Sequence, residues 1–157
     1  MKYLAVVPPM IGARRLSVVV VLLAGASQAS AQDVVGRVKS AEGAVFIVRQ
    51  NAPVPAQAGQ PLYQSDTVRT GADGRMGVTL KDETRVSLGP NTEVRIDQFL
   101  YSPGQGSLRL VLNIARGLVA YVSGRIAKLS PDAVRLETPS AILGVRGTRM
   151  VIRVEAP

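Results

Sequence analysis

The chain has 157 residues, 19 of them lysine or arginine against 11 acidic, a formal net charge of +8, and neither cysteine nor histidine. The two absences exclude disulfides, Cys-His nucleophilic pairs, Ser-His-Asp triads and every metal site built on cysteine or histidine. No catalytic residue, metal or cofactor is therefore expected, and the chain reads as a protein that is not an enzyme.

The first 31 residues read as a secretory signal peptide. Lys2, Arg14 and Arg15 form a positive n-region, residues 16–26 (LSVVVVLLAGA) are an apolar core, and Ala29-Ser30-Ala31 is a small-x-small cleavage site. Eleven apolar residues fall short of the roughly 20 that a spanning helix needs, which favours cleavage near Ala31 over a retained anchor. The expected mature chain, residues 32–157, is one domain, periplasmic or secreted. It keeps 16 basic and 11 acidic residues, a net charge of +5.

From Val34 onward, short apolar alternations are broken by Gly, Pro, Asn and Asp at intervals that suit an all-β domain. Residues 41–50 (AEGAVFIVRQ) predict an early strand around Val45, Phe46, Ile47 and Val48. Residues 51–61 hold three prolines, which cannot continue a ladder, and predict a surface loop. Val68 falls in a short strand, residues 70–74 turn, and Met76, Val78 and Leu80 line one face of the next. Residues 81–84 (KDET) and 89–92 (GPNT) turn the chain into strands carrying Val86 and Leu88, then Val94 and Ile96.

The longest alternation sets Leu108, Leu110, Leu112 and Ile114 against Arg109, Val111, Asn113 and Ala115, a strand with one buried face. Continuing the device puts Leu118, Ala120 and Val122 inward and Tyr121 opposite. Residues 124–130 have room for one helical turn, residues 133–139 form another strand, and a last strand places Met150, Ile152 and Val154 inward with Arg149, Val151 and Arg153 outward. The expected architecture is a single antiparallel-rich β-domain, a sandwich or a short solenoid-like β-roll.

Between the last two apolar runs stands GVRGT, residues 144–148. Consecutive N–H groups beside an arginine can cradle an anion, but a phosphate loop of the Walker type needs a Lys-Ser/Thr pair opening a helix, whereas Thr148 opens a strand. The expectation is a tight turn in which Gly144 and Gly147 supply unusual backbone angles and Arg146 braces neighbouring strands. The acidic pairs Asp82/Glu83 and Glu93/Asp97 fall in or beside predicted turns, where acids are common, and the single acid in residues 71–74 (GADG) is too few for calcium.

The order of these turns resembles the FecR-type domain, a periplasmic module of iron-uptake regulators and of stand-alone exported proteins. The resemblance runs from about residue 35 to 154. Its most specific part is Thr138-Pro139-x-Ala141 followed by Val145-Arg146-Gly147-Thr148; Asp66-x-Val68-x-Thr70-Gly71 and Arg116-Gly117 also match. Where many members have Asp-Gly, this chain has Asp82-Glu83, and since glutamate disfavours left-handed backbone a different or longer turn is expected there.

In membrane-anchored members the resemblance implies a cytoplasmic segment that holds a sigma factor. Only 15 residues precede the apolar run here, so the expectation is the exported module alone, without anti-sigma activity. The implied role is binding an envelope or outer-membrane protein, with Arg146, Gly147, Thr148, Arg149 and Arg153 as the candidate interaction or structural motif. The +5 charge keeps an anionic glycan, lipopolysaccharide or lipid surface as the alternative; export removes the chain from nucleic acid.

Overall fold

The structure, a computed structural model, describes residues 32–156; the expected signal peptide lies outside the described residues. Alternating apolar residues make strands throughout. Strands β1 (Val34–Glu42), β2 (Val45–Arg49), β3 (Ala52–Pro55), β4 (Pro61–Tyr63), β5 (Thr67–Thr70), β6 (Arg75–Leu80), β7 (Arg85–Leu88) and β8 (Glu93–Ser102) lead into the 16-residue β9 (Ser107–Val122). A five-residue helix, α1 (Arg125–Leu129), and β10 (Val134–Glu137), β11 (Ile142–Gly144) and β12 (Arg149–Val154) complete the domain.

All twelve strands join one curled, antiparallel-rich sheet, with β9 and β10 the one parallel pair among the described residues. Strand β9 belongs to two wings at once. Its first part pairs with β8 and β10, and that wing continues through β5 and β2 to β3. Its last part, from Gly117, pairs with β7 and β12, and the second wing continues through β6 and β1 to β4. The wings enclose one core, with Ile47, Val68, Val94 and Leu112 from the first meeting Val38, Val78, Leu80, Val86 and Tyr121 from the second. The expected all-β class is what the chain adopts.

The transition between wings corrects the expected phase of β9. Glu93 faces Arg116 but Val94 faces Ile114, so Ala115 is an extra residue and the alternation slips by one. Leu110, Leu112 and Ile114 point inward before the slip, but Val119 and Tyr121 do so after it, rather than Leu118, Ala120 and Val122. Gly117, at φ +98°, sits where the strand changes wings, and Thr92 fills the space a Cβ would need. The Thr92 hydroxyl accepts a hydrogen bond from Leu118 N at 3.0 Å, tying β9 to the turn before β8.

Two other expectations fail for local reasons. The proline-rich segment is not wholly loop: β3 pairs with β2, with Pro53 opposite Val48 and Pro55 opposite Phe46. Strand β3 is an exposed sheet edge, and prolines two residues apart share the side that faces away from β2, where no donor is needed. In the β6–β7 hairpin, Glu83 does adopt the left-handed conformation, at φ +69°. That costs about 1 kcal/mol, and the bonds around Asp82, described below, hold it.

Candidate functional site

Thr138 starts the signature motif by closing its own turn. Its N–H donates to Ala141 O at 2.8 Å, and its hydroxyl accepts from Ala141 N at 3.0 Å. Strand β11 then pairs back on β10 in the first wing, whereas β12 lies beside β9 in the second. The segment between them, Val145, Arg146, Gly147 and Thr148, is therefore the crossing from one wing to the other. Val145, 1% exposed, anchors it in the core. Ser123 holds its far end, with N donating to Thr148 O at 2.9 Å and Oγ to Gly147 O at 2.5 Å.

Arg146 takes no part in this anchoring. Its side chain is 87% exposed, and the nearest carboxylate, that of the equally free Asp132, is 4.0 Å away. The expectation that Arg146 braces strands is overturned. So is the expectation of unusual glycine angles: Gly144 and Gly147 lie outside the left-handed region, and a Cβ on either would touch nothing. What the crossing does build is one wall of an open groove of about 690 Å³. Ala127 and Lys128 of α1, with Ser123, Pro131 and Asp132, complete its lining. Arg149 and Arg153 lie beyond this groove, exposed on β12, and neither forms an ion pair among the described residues.

The residues that the sequence left without a role hold the domain together. Asp66 is buried and receives both nitrogens of the Arg49 fork, at 2.9 and 2.7 Å, together with Tyr63 N at 2.9 Å. The same guanidinium lies over the Tyr63 ring, 4.4 Å from its centre, and the Asp66 bonds raise its pKa above the ordinary arginine value. Thr70 and Thr92 form a second buried clasp, in which Thr92 N donates to the Thr70 hydroxyl at 2.9 Å and that hydroxyl donates to Gly89 O at 2.6 Å. The Asp66-x-Val68-x-Thr70-Gly71 match is thus a set of staples.

The carboxylates weighed for chemistry are likewise engaged. Glu83 pairs with Arg125, Glu93 with Arg69 and Arg116, and Asp97 with Arg95. Asp73, in the GADG turn, accepts from Ala44 N at 3.2 Å. Tyr121 differs from all of these. Its hydroxyl is buried beside Thr84 and Ser123 yet has no hydrogen-bond partner among the described residues, and burial pushes its pKa up.

A protein-family model described as FecR protein matches residues 66–157, more than half of the chain. The chain belongs to the FecR family. The match begins at the buried Asp66, so β1 to β4 lie before it, although β1 completes the second wing by pairing with β6. Neither the curated proteins nor the solved structures contain a match to this FecR chain. The FecR domain is a regulatory, signalling-related module.

Proposed function

We propose that this FecR domain is a non-enzymatic binding module of the cell envelope, holding an envelope or outer-membrane protein in the groove walled by the signature crossing. One observation carries this reading: Arg146, at the centre of the family's most specific motif, is free of the fold. A structural arginine would be bonded as Arg49 is; Arg146 is presented to solvent beside a concave surface, with Gly147 leaving the backbone open to close approach. The glycan alternative is less well supported. Among the described residues Tyr121 is buried, Tyr63 carries Arg49, and Phe99 and Tyr101 pack on the core, which leaves only the half-buried Phe46 on β2 to meet a sugar ring.

A photo-reactive residue at position 146, compared with one at Val54 on β3, tests the contact in producing cells. The expected result is a discrete protein adduct from position 146 that Val54 does not give. Equal adducts from both, or none from position 146, would remove the proposal. Mass spectrometry of the exported protein checks the setting, with Gln32 as the expected first residue.

A further inference from the structure

Strand β12 is an open edge. It pairs with β9 along Arg149 to Val154 and with no other strand among the described residues. The direction of its backbone groups follows from one bond: Ser123 N donates to Thr148 O. Residues of an antiparallel ladder face their neighbour alternately, so Met150, Ile152 and Val154 bond β9, while the N–H and C=O of Arg149, Val151 and Arg153 point outward. Those three side chains are exposed, Val151 to 66%. Strand β3, at the far edge of the other wing, carries Pro53 and Pro55 where outward donors would be. No proline blocks β12, but Arg149 and Arg153 charge it, so the edge accepts a strand only where those charges are met.

The charges on the edge select the occupant. We propose that β12 pairs antiparallel with β12 of a second copy of this chain, about a two-fold axis at Ile152. In that register Arg149 of each copy lies opposite Glu155 of the other, twice over, and Val151 lies against the aliphatic stem of Arg153. Centring on Val151 instead would set Arg149 opposite Arg153, and centring on Arg153 would set that residue against itself. A half-residue shift is excluded, because it would oppose outward-facing and inward-facing backbone groups. The half-buried Met150 and Val154 gain cover in the joined sheet. The proposal goes beyond the partner-binding reading and uses a different surface, since the Arg146 groove lies outside the pairing.

Sedimentation velocity on the exported protein over a concentration series tests this, with Arg149→Glu, Glu155→Arg, the combined exchange and Val151→Lys. The wild type is expected to pass from monomer to dimer with concentration. Each single reversal sets two like-charged pairs face to face and should weaken the dimer about tenfold, while the combined exchange restores it. Val151→Lys should abolish it, and all four variants should melt with the wild type because the positions are exposed. A monomer at every concentration overturns the proposal. So does a dimer indifferent to the single reversals, or one that the combined exchange fails to restore. Arg146→Ala leaves the dimer unchanged, which keeps this test separate from that of partner binding.

Discussion

The carboxylate of Asp82 accepts a hydrogen bond from the backbone N–H of Ile126, 44 residues later, at 3.3 Å. It also receives Thr84 N at 3.1 Å and the Thr84 hydroxyl at 2.7 Å, while Asp82 O accepts Arg125 N at 2.6 Å. The side chain is fully buried, so Ile126 N, Thr84 N and the Thr84 hydroxyl would be stranded without its carboxylate. The residue fastens the β6–β7 hairpin to the first turn of α1, and Gly124 is needed because the Asp82 carbonyl leaves no room for a Cβ.

Replacing Asp82 with alanine is expected to cost about 3 kcal/mol or more, since an unsatisfied buried donor costs about 1–3 kcal/mol. Asp82→Asn, which keeps an acceptor, should cost less. Urea denaturation of the two variants checks the order, and equal losses would show that the hydrogen bonds are not what the site contributes.

Two glycines should respond in opposite ways to alanine. Gly117 lies at φ +98° against Thr92, so Gly117→Ala combines backbone strain with a collision and should cost about 3 kcal/mol. Gly147→Ala meets nothing and should stay within about 0.5 kcal/mol of wild type. A large loss at Gly147 by thermal or urea unfolding would return the signature to a structural role.

Tyr121 predicts the alkaline limit of stability. Burial raises its pKa in the folded state above the unfolded value of about 10. A raised pKa means that the folded state holds the proton more tightly, so the contribution is fully present below about pH 10 and is lost as pH rises through the folded value. Tyr121→Phe should flatten that alkaline decline. Because the hydroxyl has no hydrogen-bond partner among the described residues, the substitution should also leave stability at neutral pH unchanged or raise it by about 1 kcal/mol. Unfolding curves at pH 7 and above pH 10 decide both points.

Arg49 and Arg146 make a matched pair. Removing Arg49 leaves the buried Asp66 carboxylate with only Tyr63 N, and Arg49→Met should cost about 2 kcal/mol after allowance for its partial exposure. Arg146→Ala should change stability by less than about 0.5 kcal/mol and instead weaken the adduct formed by a photo-reactive residue placed at Lys128, across the same groove. The same two unfolding curves, with the cross-linking yield, separate the arginine that holds the fold from the one the fold presents.

Much of this architecture is legible in the residues themselves. Period-two apolar patterns mark β6, β7, the first part of β9 and β12, with the correct inward faces at Met76, Val78, Leu80, Val86, Leu88 and Ile152, because the direction of a side chain in a strand depends only on local backbone geometry. The same rule fails beyond Ile114. One extra residue at Ala115 moves Tyr121 into the core, and nothing local distinguishes that bulge from continued alternation. Prolines argue against a central strand, but whether a strand is central or an edge depends on the whole sheet, so β3 could not be foreseen.

What the sequence by itself determined is the all-β class, the strands that apolar alternation marks, the lack of any cysteine or histidine chemistry, and membership of the family through its motifs. Only the tertiary structure decided what those motifs do. Asp66, Thr70 and Asp82 became buried staples because their partners lie on other strands or far along the chain, at separations that no local pattern encodes. GVRGT became a crossing between wings, with Arg146 outward, because β11 and β12 lie in different wings. Local alternation dictates which way a side chain points, but the long-range pairing of strands dictates whether anything is there to meet it.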